Sequence, residues 1–92
     1  MSNYQVVKKS EFLFEEGDFP EAMYIIRTGQ FSLFVKEGEV EKEISLVGPG
    51  NLIGEMGLFD KKLRSASARA TVDSSVVALP YAHLEKQLEE LP

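Results

Sequence analysis

"FSLFVKEGEVEKEISLV" (residues 31–47) decides the fold class. Its first half alternates, with Phe31, Leu33 and Val35 on one face and Ser32, Phe34 and Lys36 on the other. That is the period-two pattern of a half-buried strand. Glu37-Gly38-Glu39 forms a hairpin tip, and "VEKEISLV" returns with Val40, Ile44, Leu46 and Val47 set against charge. Two apolar-alternating runs around a Gly-containing tip read as an antiparallel hairpin.

The same period extends in both directions. Upstream, "YQVVK" (4–8), "EFLF" (11–14) and "MYIIRT" (23–28) are short β-rich runs. "EEGDFPEA" (15–22) separates the last two with turn chemistry, since Gly tolerates positive φ and Pro presets its own. Downstream, "GPGN" (48–51) is a second turn and "EMGLF" (55–59) a short helical turn. "SASARATV" (65–72) then alternates, placing Ala66, Ala68 and Ala70 on one face and Ser65, Ser67, Arg69 and Thr71 on the other. "SVVALP" (75–80) is the last strand. Beyond Pro80, a residue suited to a helix entry, Leu84, Leu88 and Leu91 recur at helical spacing. The expectation is a mainly β chain: a small antiparallel β-barrel or jelly roll of about eight short strands. A short helix lies inside it and a C-terminal helix closes it. Residues 1–92 read as one domain.

Composition narrows the function. The chain carries 15 Asp and Glu against 10 Lys and Arg, a net charge of -5. That argues against direct nucleic-acid binding, which needs cations arrayed along one face. Cysteine is absent, and no apolar run approaches the roughly 20 residues of a membrane span. These features fit a cytoplasmic protein with no membrane partner. Metal-dependent β-barrel enzymes need several His and carboxylate ligands on one ion. This sequence has one histidine, His83, placed on the C-terminal helix. Neither a metal site nor a catalytic nucleophile and base is expected, and a cupin-type enzyme is disfavoured.

One segment stands apart from the acidic whole. "GEMGLFDKKLRSASARA" (54–70) holds Lys61, Lys62, Arg64 and Arg69, four of the ten cations. Glycine lets a backbone approach an anion closely, and a helix start presents unpaired amides. Arg64 offers a planar fork matched to phosphate oxygens, and Ala66 and Ala68 leave space. Glu55 would repel a bare phosphate, but an ionised carboxylate accepts hydrogen bonds from hydroxyls. A sugar phosphate satisfies both groups. The competing reading makes Arg64 a surface cation and Gly54 a turn residue.

This segment resembles the phosphate-binding cassette of the cyclic nucleotide-binding domain family. The family includes bacterial catabolite activators and the regulatory subunits of cAMP-dependent protein kinase. The pattern is Gly-Glu, a hydrophobic residue, a small residue and Leu, then a variable spacer and Arg-small-Ala. Gly54-Glu55-Met56-Gly57-Leu58 and Arg64-Ser65-Ala66 match it. "EEGDFPEAMYIIRTGQFSLF" resembles the family's earlier Gly-Asp turn and strand, and "GPGNLIGE" its approach to the cassette. The similarity runs from about Tyr4 to Leu91.

The resemblance implies a role for each matching residue. Gly54 brings its backbone near the sugar, and Glu55 accepts the ribose 2′-hydroxyl. Met56, Gly57 and Leu58 form the short helix, with Leu58 packed beneath. Arg64 grips the exocyclic phosphate oxygens, and Ser65 and Ala66 offer backbone amides. Lys61 and Lys62 match nothing fixed and are expected only to raise the local positive potential. The implied ligand is cAMP, with cGMP as the alternative because Ser65 keeps a hydroxyl; no cofactor is implied. The implied output is a regulatory sensor that relays occupancy through the C-terminal helix to an attached effector or a second copy. Its rival is a docking module of the same fold that binds no nucleotide. The sequence ends at "LEELP", short of the longer lid helix usual in the family.

Overall fold

In the computed structural model, which describes residues 3–91, the hairpin at 31–47 is the longest element pair. The chain order is β1 (Tyr4–Val7), β2 (Phe12–Phe14), β3 (Ala22–Thr28), β4 (Phe31–Glu37), β5 (Val40–Val47) and β6 (Leu52–Ile53). It continues through α1 (Met56–Asp60), β7 (Ser67–Ala70), β8 (Ser74–Pro80) and α2 (Tyr81–Glu89). The strands form two antiparallel four-stranded sheets, ordered β1-β8-β3-β6 and β2-β7-β4-β5. The architecture is the expected jelly roll, built as two sheets rather than one closed barrel.

The β4/β5 register runs from Glu37↔Val40 at the tip to Phe31↔Val47, with an irregularity between Leu33 and Phe34. On its other edge β4 pairs with β7, setting Phe31 opposite Ala70 and Leu33 opposite Ala68. Of the face carrying Phe31, Leu33 and Val35, Phe31 enters the core and Leu33 packs against it, whereas Phe34 of the opposite face is buried beside Phe12. Phe31, Ile26 and Val76 are fully buried, with Val7, Ile53, Ala68 and Ala70 around them. Burying a side chain such as Phe31 contributes roughly 1.5–3 kcal/mol. Ala68 thus does not clear space for a ligand, as the sequence suggested, and neither does Ala70. They are small because Phe31 and Leu33 fill the volume beside them.

Two further expectations change. The strand expected at 65–72 shortens to Ser67–Ala70, because Arg64 is tied elsewhere. Its N–H donates to the Asp18 carbonyl, and its own carbonyl accepts from the Gly17 N–H. The leucine stripe of α2 does not dock that helix: Leu84 is half-buried, but Leu88 and Leu91 are exposed. Only Tyr81 is buried in α2, and its N–H donates to the Glu21 carbonyl. No helix among the described residues is long and apolar enough to cross a membrane.

Candidate functional site: a cavity around Arg64

Gly54, Glu55, Met56, Arg64, Ser65 and Ala66 all line one cavity of about 240 Å³. The sequence singled out these six residues, and the fold brings them together. Phe14, Leu33, Ile53, Gly57, Asp60, Lys62 and Leu63 complete the walls.

Local backbone chemistry sets the geometry. Gly54 has φ +84°, a left-handed conformation that strains any residue with a side chain. A Cβ there would also lie 2.6 Å from Arg64 Nη1, so glycine is needed for space as well as for conformation. Glu55 precedes α1 in a helical conformation, and its carbonyl accepts from the Leu58 N–H. Leu58 is buried, as expected of the residue under the short helix. Lys61 ends α1 at φ 57°, its N–H closing on the Gly57 carbonyl. The turn at 15–22 buttresses all this. Gly17 and Asp18 hold the Arg64 backbone, and Pro20 lies against Gly57.

Arg64 is 8% exposed and spends its donors on neutral partners. Nη2 donates to the Ala22 carbonyl at 2.6 Å, and Nη1 donates to the Gly54 carbonyl at 3.3 Å and the Tyr81 hydroxyl at 3.2 Å. Its guanidinium carbon lies 4.2 Å from the centre of the Phe14 ring, a cation–π contact. Nε is buried with no partner, and no carboxylate pairs with Arg64 among the described residues. Burying a charge without its counter-ion is expensive. The nearby Tyr24 hydroxyl titrates above its ordinary 10.0: burial pushes it up, and the Arg64 charge only partly opposes that. Glu55, which lines the same cavity, has no hydrogen bond or ion pair for its carboxylate among the described residues. The site therefore brings a carboxylate with free acceptor capacity and a buried, charge-uncompensated guanidinium to one cavity.

The remaining residues sort differently from the expectation. Met56 and Ser65 sit exposed at the rim, and Ala66 is half-buried in the wall. The two lysines part company: Lys62 lines the cavity, whereas Lys61 forms an ion pair with Glu85 of α2. Arg69 points outward, as its alternation predicts, and pairs with Glu41. His83 is exposed on α2. Sequence reasoning missed Phe14, Ala22 and Tyr81 as partners of Arg64. A carbonyl such as that of Ala22 leaves no sequence signal, and an aromatic residue at a helix entry reads as ordinary core.

Comparison with known proteins identifies the family of the chain. The family model for the cyclic nucleotide-binding domain matches residues 4–90. The chain is 43% identical over 68 residues to a cyclic AMP receptor protein of Thermus thermophilus, covering 73% of this chain and 32% of that protein. It is 36% identical over 69 residues to a cAMP-dependent protein kinase regulatory subunit of Emericella nidulans, covering 75% of this chain and 16% of that one. It superimposes on the cAMP-bound form of the EAL enzyme Bd1971 with a TM-score of 0.88 at 27% identity, covering 97% of this chain and 24% of that one. The chain thus spans a third or less of the length of these proteins.

Proposed function

The chain belongs to the cyclic nucleotide-binding domain family, and from that premise we propose that it is a non-enzymatic, cytoplasmic sensor of cAMP. The observation that carries the proposal is Arg64: a buried guanidinium with no counter-ion and an unpartnered Nε among the described residues, lining a cavity of about 240 Å³. An anion that enters this cavity supplies the missing charge, and a cyclic phosphate presents two exocyclic oxygens to a planar donor fork. Glu55 accepts the ribose 2′-hydroxyl, which distinguishes a ribonucleotide from a bare phosphate. Gly54 admits the sugar. Ser65 and Ala66 contribute backbone amides, and the exposed Met56 closes the rim. cAMP is favoured over cGMP because the family resemblance links guanine preference to a threonine at this position, and this chain has Ser65 there. Occupancy passes to α2 as a population shift, and α2 relays it to an effector or a second copy.

Calorimetric titration with cAMP and cGMP tests this. The expected result is 1:1 binding of both, tighter for cAMP. An absence of heat and of thermal shift with either ligand at millimolar concentration would leave a docking module of the same fold. Tighter binding of cGMP would reverse the base assignment alone.

A further inference from the structure

A guanidinium carries five N–H donors around a planar fork. In Arg64 the Nη1 end is held by the Gly54 carbonyl and the Tyr81 hydroxyl, and Nη2 donates to the Ala22 carbonyl. The Nε end is open. Tyr81 also donates its own hydroxyl hydrogen to the Gly54 carbonyl, so Arg64, Tyr81 and Gly54 close a triangle of hydrogen bonds. The phenol reaches that point because residue 57 has no side chain. A Cβ on Gly57 would lie 2.6 Å from the Tyr81 hydroxyl and 2.8 Å from Pro20. Tyr81 is itself 6% exposed, so ring and hydroxyl are fixed by packing.

We propose that Tyr81 is a positioning residue for the phosphate-binding arginine. Its hydroxyl fixes the Nη1 end of the fork and leaves the charge of the guanidinium uncompensated for the ligand. This rests on the cyclic-nucleotide reading of the site. The chemistry of the choice matters. A buried arginine is commonly oriented by a carboxylate, which would also cancel its charge and weaken its pull on a phosphate. A phenol and two peptide carbonyls orient the guanidinium while leaving its full positive charge for the ligand. Held groups also avoid the cost of ordering a flexible side chain at the moment of binding. Because Tyr81 is the first residue of α2, the seating of that helix becomes part of the phosphate site.

The test is Tyr81→Phe, which keeps the packed ring and removes only the hydroxyl. Two measurements are made: the affinity for cAMP, and the Arg64 Nε–H resonance of the free protein in 15N-resolved NMR. The expected result is an affinity loss of about tenfold or more, the scale of one hydrogen bond to a charged group. The Nε–H signal should also broaden and move towards that of a freely rotating arginine. Wild-type affinity with a wild-type Nε–H signal overturns the proposal. So does a lower melting temperature with both readouts unchanged, because Tyr81 would then serve packing alone. If the wild-type protein binds neither cyclic nucleotide, the ligand reading fails. The Nε–H comparison in the free protein then still decides whether the hydroxyl positions Arg64.

Discussion

Arg64 and Arg69 lie five residues apart on one stretch of chain, and the fold gives them opposite settings. Arg69 stands on the outer face of the β2-β7-β4-β5 sheet with its side chain one-third exposed. Glu41 takes both its terminal nitrogens at 3.0 and 2.8 Å, while the Phe34 and Phe12 rings flank it at 4.4 and 5.7 Å. Arg64 is buried and has carbonyls, a phenol and the Phe14 ring, but no carboxylate among the described residues. The outer cation is electrostatically complete and the inner one is not. A cationic residue marks a ligand site when the fold has buried it without neutralising it. Local positive charge alone, which both residues share, marks nothing.

The largest expected effect breaks this contrast directly. Arg64→Ala should cost about 2–5 kcal/mol of cAMP binding, the range for removing one member of a buried charge pair. Titration calorimetry of the variant checks it. The free protein should lose less stability than such a burial suggests, because the alanine also removes an uncompensated charge. If Arg64→Ala binds like wild type, the phosphate is held elsewhere and the two arginines are functionally alike.

How far the contrast was legible in the sequence depends on the kind of contact. Alternation in "SASARATV" put Arg69 outside, because period two is fixed by strand geometry. The same alternation placed Ala68 and Ala70 inside but said nothing of their neighbours, and only register with Phe31 and Leu33 shows that they fill the core. The six residues singled out in the sequence come to line one cavity because the cassette is nearly contiguous: one short helix and one turn bring its ends together. The partners of Arg64 were not legible. Apart from the Gly54 carbonyl they come from β2, β3 and α2, and two of the three hydrogen-bond acceptors are backbone carbonyls, which every residue has. The strand at Leu52–Ile53 was invisible for another reason: two residues carry no period. The α2 stripe misled because amphipathic spacing reports a capacity to bury a face, and beyond the half-buried Leu84 this helix leans on the body through its first turn.

A smaller effect sharpens the anion side of the comparison. Glu55→Ala should weaken cAMP by about 1.5–3 kcal/mol, the scale of a hydrogen bond to a charged group. 2′-Deoxy-cAMP should bind the wild-type protein about as weakly as cAMP binds the variant, and should be nearly indifferent to the substitution. Competition titrations with the two nucleotides provide the check. Equal losses for both would mean that Glu55 shapes the loop rather than meeting the ribose.

The smallest effect is expected at Arg69. Hydrogen bonds from Arg69 hold the Glu41 carboxyl below its ordinary 4.5, against a weaker upward push from burial. The folded protein therefore binds that proton less tightly than the unfolded chain does. The contribution of the pair to stability is present above about pH 4.5 and is lost as pH falls through the lowered folded value. Glu41→Gln should consequently lower the melting temperature slightly near neutrality, and the difference from wild type should close in acid. Salt should shrink it too, since the pair is solvent-exposed. cAMP affinity should not move, because Glu41 and Arg69 face away from the Arg64 cavity. A Glu41→Gln variant that loses affinity would tie the outer face of the sheet to the ligand. Arg69, for all its completed contacts, would then belong to the same machinery as Arg64.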